Sequence, residues 1–173
     1  MAEQTVLPNN RTPDDSPAPP IFDGGTDEER QEILDRYYTF LRANDALDIP
    51  ALRTLWSHDP RNIYFNTNGY AYHGLADWEN IWRHYAGRLT LEKPSPSGQV
   101  RLTIRDGMAL LSDDRVGRYR GYVQGKDEPD IAFGQQPYVR LTSVYLKEEG
   151  EWRMIHAHFS SGNVGPRPDQ RDS

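Results

Sequence analysis

The chain has 173 residues, 36% of them hydrophobic, with four Trp, ten Tyr and five Phe: enough apolar side chain for one packed core in a length that fits one domain. Twenty basic residues against 26 acidic ones give a formal charge of −6 with the arginines scattered, which argues against a nucleic-acid partner. The lack of cysteine excludes a disulfide framework, a thiolate nucleophile and sulfur-ligated zinc, and with neither a leader pattern nor a run of about 18 apolar residues the expectation is a cytoplasmic protein without membrane contact.

Residues 1–25 carry Pro8, Pro13, Pro17, Pro19 and Pro20 among Asn, Asp and Ser, a composition that buries too little apolar area to offset its ordering entropy. A disordered proline-rich tail is expected there, and a second over 162–173, where Pro166 and Pro168 precede a charged end. Thr26 followed by Glu29 is a capping box, and Ile33, Leu34, Tyr37, Phe40 and Leu41 recur at helical spacing, predicting a first helix through about Ala43. Asp48 caps a short second helix with Pro50 in its first turn and Leu52, Leu55 and Trp56 on its buried side. Ile63 to Phe65 reads as a short strand. Trp78, Ile81, Trp82, Tyr85 and Leu89 predict a third helix beginning at Leu75.

Beyond the Pro94 to Gly98 break the period falls to two. Val100, Leu102 and Ile104 alternate with polar residues, Asp106-Gly107 is a hairpin turn, and Met108 to Ser112 returns. Arg118 to Val123 reads as extended, Gly125 to Pro137 as a polar loop, and Tyr138 to Lys147 pairs through Glu149-Gly150 with Trp152 to Ser160. Helices first and strands after give an α+β fold with three N-terminal helices on one face of an antiparallel sheet.

Tyr72-His73-Gly74-Leu75 and the closing string from Gly150 to Ser160 (Gly-Glu-Trp-Arg-Met-Ile-His-Ala-His-Phe-Ser) carry a resemblance to the SnoaL-like branch of the nuclear transport factor 2-like superfamily over roughly Thr26 to Ser161. The last hairpin is also similar to the association domain of calcium/calmodulin-dependent kinase II. Ser143 stands where that domain has an arginine, and Arg140, three positions earlier, falls on the opposite strand face. The resemblance implies a cone-shaped curved sheet wrapped around the helices, a deep pocket at the open end and a homodimer formed through the outer face. The superfamily hosts isomerases, dehydratases, cyclases, binding modules and assembly domains, so the site must decide the function.

His156 and His158, two apart on a strand, share one face about 7 Å apart, with Trp152 and Met154 expected on the same face. On the concave side their imidazoles are the catalytic candidates, as general acid or base; packing or a dimer surface is the plainer role. Tyr64 joins them as a hydroxyl for a carbonyl oxygen, and Trp56, Trp78, Trp82, Tyr138, Arg120 and Arg140 are candidate substrate contacts. For the aromatics core packing is the alternative, and for the arginines cross-sheet pairing.

His58, His73 and His84, with Asp59, Asp77 and Glu79, match no metal-ligand spacing, so no metal is expected. Asp106, Asp113, Asp114, Glu148 and Glu149 read as turn and surface residues at strand ends, leaving Asp45 and Asp59 as acids for a pocket. No phosphate loop, nucleophile elbow or dinucleotide fingerprint occurs, so no cofactor is expected. The function expected is a pocket for a small hydrophobic, carbonyl-containing molecule. The pocket serves either a cofactor-independent dehydratase, isomerase or cyclase or a non-catalytic binding or dimeric assembly module.

Overall fold

The computed structural model describes residues 18–86, 89–91, 97–114, 121–123 and 139–162. Helix α1 (Asp27–Ala46) starts at the predicted box: Thr26 Oγ1 accepts from the Glu29 N–H at 3.2 Å and Glu29 Oε2 accepts from the Thr26 N–H at 3.0 Å. Its stripe of Ile33, Leu34, Tyr37, Phe40 and Leu41 is buried as read, and it runs three residues past Ala43 before Leu47 turns left-handed. Helix α2 (Ile49–Leu55) is capped by Asp48 Oδ1 on the Ala51 N–H at 3.1 Å.

Helix α3 (Gly74–Tyr85) buries Leu75, Trp78, Ile81 and Trp82. Gly74 opens it at φ 70°, where a Cβ would come within 3.1 Å of Pro60 Cα, so any other residue at the junction is both strained and crowded. The helix stops four residues short of the expected Leu89, because Ala86 leaves the helical region while its N–H still bonds the Trp82 carbonyl. Glu79 ties α2 to α3, accepting from Arg53 Nε at 2.5 Å and Nη2 at 2.8 Å and from Arg83 Nη2 at 2.9 Å.

The strands are β1 (Ile21–Gly24), β2 (Ile63–Phe65), β3 (Ala71–His73), β4 (Leu89–Leu91), β5 (Val100–Arg105), β6 (Met108–Asp113), β7 (Gly121–Val123), β8 (Val139–Glu148) and β9 (Glu151–Ser161). Seven form a curved, unclosed sheet in the order β1-β5-β6-β8-β9-β2-β3, while β4 pairs with β7. The sheet is mixed rather than antiparallel throughout: β1 runs parallel to β5, and β2 parallel to β9.

Strand β1 corrects the expected tail, which does not extend through residues 21–24. It is held by a partner 80 residues away in sequence, with Arg105 Nη2 on Asp23 Oδ1 at 2.7 Å and Gln99 Nε2 on the Pro19 carbonyl at 2.8 Å. The remaining tail positions 1–17 and 163–173, and the polar loop 125–137, lie outside the described residues.

The turns after β5 and after β8 lie at one end of the sheet, where the Lys147 N–H bonds the Gly107 carbonyl. Leu102, Ile104, Ala109, Leu111, Leu141 and Tyr145 point inward against the helices. Alternate positions, among them Met108, Leu110, Thr142 and Arg140, point outward.

Candidate functional site

A one-residue irregularity sets the face of every candidate on β9. Val144 pairs with His156 but Tyr145 pairs with Met154, so Ile155 is an extra residue and the ladder carries a β-bulge there. Trp152 and Met154 are buried on the inner face before the bulge, and Ala157 and Phe159 are buried on it afterwards. His156 and His158 therefore face outward, and the expectation that they share a side with Trp152 and Met154 is corrected. The Nδ1–H of His156 donates to the Ile63 carbonyl at 2.7 Å, and Phe65 stands edge-on to both imidazoles with centroids 5.4 and 5.5 Å away.

The other candidates divide. Tyr64 is buried on the inner face, its hydroxyl unpartnered and pushed up to about 12, chiefly by burial. It joins Trp56, Trp78 and Trp82 in an aromatic cluster centred on Trp56, with centroids 4.8 Å to Tyr64, 5.5 Å to Trp78 and 5.9 Å to Trp82. The indole N–H groups of Trp56 and Trp78 are likewise buried without partners.

Arg140 is exposed on the outer face, donating to the Ser161 carbonyl at 3.1 Å, while Ser143 is buried on the inner face, so the two lie on opposite sides as read. Arg120 and Tyr138 lie outside the described residues. Asp45 is half-buried at the end of α1. Asp59 is engaged by Arg61 at 2.6 Å, which holds its carboxyl down to about 2. Among the described residues no group of three or more His, Asp or Glu is placed to hold a metal ion.

Sequence reasoning passed over the charged side chain that, among the described residues, the fold buries most completely. Asp113 is 1% exposed, not a solvated turn residue. Its Oδ2 accepts from the Tyr37 hydroxyl at 2.6 Å and from Ser97 Oγ at 2.5 Å, and its Oδ1 accepts from the Gly98 N–H at 2.9 Å. Burial first, and then the adjacent carboxylate, hold the Tyr37 phenol well above its ordinary range; Tyr38 beside it is raised for the same two reasons. The signal was in the register, since Asp113 continues the inward series Ala109, Leu111 at period two. The group sits at the end of the sheet opposite the hairpin turns. At the turn end, a polar cleft of about 810 Å³ is lined by residues including Arg36, Arg153, His58 and Glu148.

The family profile described as SnoaL-like domain matches residues 31–163. Among solved structures, a nuclear transport factor 2-like protein of unknown function from Pseudomonas putida superposes with a TM-score of 0.62 at 18% identity, over 86% of this chain and 95% of that one. A candidate dehydratase of the same family from Streptomyces avermitilis gives 0.59 at 14% identity, over 80% and 99%. A candidate calcium/calmodulin-dependent kinase II association domain from Thiobacillus denitrificans gives 0.53 at 20% identity, over 84% and 100%. No curated protein sequence matches the chain. At these identities the likeness establishes the fold alone.

Proposed function

The chain belongs to the SnoaL-like domain family, and from that premise we propose that it is a small-molecule pocket protein working as a cofactor-independent acid–base enzyme of the dehydratase, isomerase or cyclase type. The proton is carried by Asp113 rather than by His156 or His158. The observation that supports this is a carboxylate 1% exposed at the inner end of β6, sharing one oxygen between a phenol and a serine hydroxyl. A carboxyl group in a dry site with fixed donors is suited to proton transfer, because its two protonation states are set by the surroundings rather than by water.

In this reading the substrate is hydrophobic and bears a carbonyl. Asp113 takes a proton from the carbon beside the carbonyl, Tyr37 stays bonded to the carboxylate, and the Tyr38 hydroxyl donates to the oxygen that gains charge. The proton then returns to another carbon, giving isomerisation, or leaves with a departing hydroxide as water, giving dehydration. The cluster of Trp56, Tyr64, Trp78 and Trp82 forms the apolar wall.

The test uses 2-naphthol, whose ionised form resembles an enolate, as the probe in calorimetric titrations. Binding by the native chain that weakens by about tenfold in Asp113→Asn or Ser97→Ala supports the reading, in line with loss of one charge-assisted hydrogen bond. Binding unchanged by both substitutions, or none at all, would sink it.

A second reading, a dimeric assembly or binding module, rests on the outer sheet face, where Met108 is 48%, Leu110 46% and Phe65 37% exposed. In this reading two copies pack these faces together. Among the described residues no helix is long and apolar enough to cross a membrane. A cytoplasmic site of action belongs to the same proposal, supported by the absence of cysteine.

A further inference from the structure

We propose that the outer sheet face holds a second copy of this chain only while His156 and His158 are neutral, so that the dimer dissociates on acidification. The proposal rests on the dimer reading above and adds its regulation.

The face is large enough for the role. Seven strands spaced about 4.8 Å apart and some six residues long present roughly 600 Å² per copy, about 1,200 Å² for a pair, above the roughly 1,000 Å² expected of a specific interface. Its middle strand is β8, flanked by β6 on one side and β9 on the other. The outward residues Met108 and Leu110 on β6 and Val144 and Leu146 on β8 form an apolar strip, with Ile63 and Phe65 on β2 beyond β9. The two histidines stand between these apolar groups.

A two-fold contact centred on β8 has two arrangements. With the axis along the strand, β9 of one copy lies over β6 of the other, and the imidazoles of His156 and His158 rest at the level of Leu110 and Ser112. With the axis across the strand, β9 faces β9, and the imidazoles meet their own copies. Neutral imidazoles pack in either case. Charged ones lose water against Leu110 and Ser112, neither of which carries a negative charge, in the first and meet like charge in the second, and both cost free energy.

Among the described residues the neighbourhood offers no compensating anion. His158 is flanked by Thr142 on β8 and Phe65 on β2, and His156 by Val144 and Ile63. The nearest charged or titratable groups on the face are Arg140, one rung from His158 on β8, His73, opposite Ile63 on β3, and Arg153, before the bulge. None is a carboxylate. The Nδ1–H of His156 is already spent on the Ile63 carbonyl, so a second proton goes to Nε2, which has no acceptor among the described residues. Histidine is the side chain whose ordinary charge change lies between about pH 5 and 8, which sets the two pH values compared in the test.

The experiment is sedimentation equilibrium of the full chain at about pH 7.5 and about pH 5.5, for the native protein, His156→Gln/His158→Gln and Leu110→Asp, with circular dichroism to confirm folding at both. The native chain is expected to be dimeric at the higher pH and to weaken by about tenfold or more at the lower, the glutamine variant to dimerise alike at both, and Leu110→Asp to be monomeric. A native dimer insensitive to pH, or equal sensitivity in the glutamine variant, overturns the histidine inference and leaves the dimer reading standing. A monomer at both pH values, or a dimer indifferent to Leu110→Asp, overturns the dimer reading itself.

Discussion

The Tyr37 hydroxyl on α1 donates to Asp113 Oδ2 at the end of β6 over 2.6 Å, a bond between two buried side chains 76 residues apart that pins the first helix to the sheet. Removing the hydroxyl in Tyr37→Phe leaves the carboxylate with Ser97 and Gly98 and costs about 1–2 kcal/mol. Removing the carboxylate in Asp113→Ala strands at least the three described donors at once and costs more, about 3 kcal/mol or above. Urea unfolding of the two variants checks the order, and equal losses would mean the three donors find other acceptors.

The same burial makes the fold sensitive to alkali. Tyr37 and Tyr145 are held well above the ordinary phenol range and Tyr64 is pushed up to about 12, each mainly because its anion would be dry. A raised folded-state value means stability is fully present below the unfolded-state value near 10 and is lost as the pH climbs from there through the folded-state values. The melting temperature should hold up to about pH 10 and then fall steeply, with tyrosinate absorbance rising together with unfolding. Tyrosinate absorbance rising by the amount of all ten tyrosines while the chain stays folded would contradict this.

What could be read in the sequence and what could not divides by the distance over which a pattern is written. The Thr26 cap, the stripe from Ile33 to Leu41, the Asp48 cap and both hairpin turns depend on neighbours within a few residues, and each formed as read. Strand β1 depends on Arg101 to Ile104, a partner some 80 residues away, and local composition made it tail. The histidines were placed on one face with Trp152 and Met154, and they lie on the other, because one extra residue at Ile155 shifts the phase of an alternation that otherwise looks regular from Trp152 to Phe159. Asp113 beside Asp114 had the composition of a turn. Only its phase with Ala109 and Leu111 marked it as inward, and its partner Tyr37 belongs to another element.

The bulge yields a sharp prediction of its own. Deleting Ile155 restores strict alternation on β9 and leaves Trp152, Met154, Ala157 and Phe159 all inward, with His156 and His158 still outward. The buried set survives the deletion, and what is lost is the local bend and added twist that the bulge supplies. The deletion variant is expected to keep a cooperative thermal transition, and Ile155→Val, which keeps the bulge as well, to melt within a few degrees of the native chain. A deletion variant without a cooperative transition would mean that the bend at Ile155 is itself needed to curve the sheet over the helices.

Glu79 gives the acid side of the stability profile. Its side chain is 8% exposed and holds Arg53 through two bonds and Arg83 through one, while the two guanidiniums are 47% and 56% exposed. Replacing it by Gln keeps the shape but removes the charge to which both arginines donate. Because those arginines remain hydrated, the loss belongs at the lower end for charged hydrogen bonds, about 1–2 kcal/mol. The bonds from Arg53 are the largest cause holding the carboxyl below its ordinary value, against the opposing effect of burial. A depressed folded-state value contributes stability that is present above the unfolded-state value near 4.3 and is lost as the pH falls through the folded one. Thermal melts of the native chain and Glu79→Gln should therefore differ most near neutral pH and converge below about pH 4. A gap that stays constant down to strong acid would mean that Glu79 acts by packing between α2 and α3 and not by its charge.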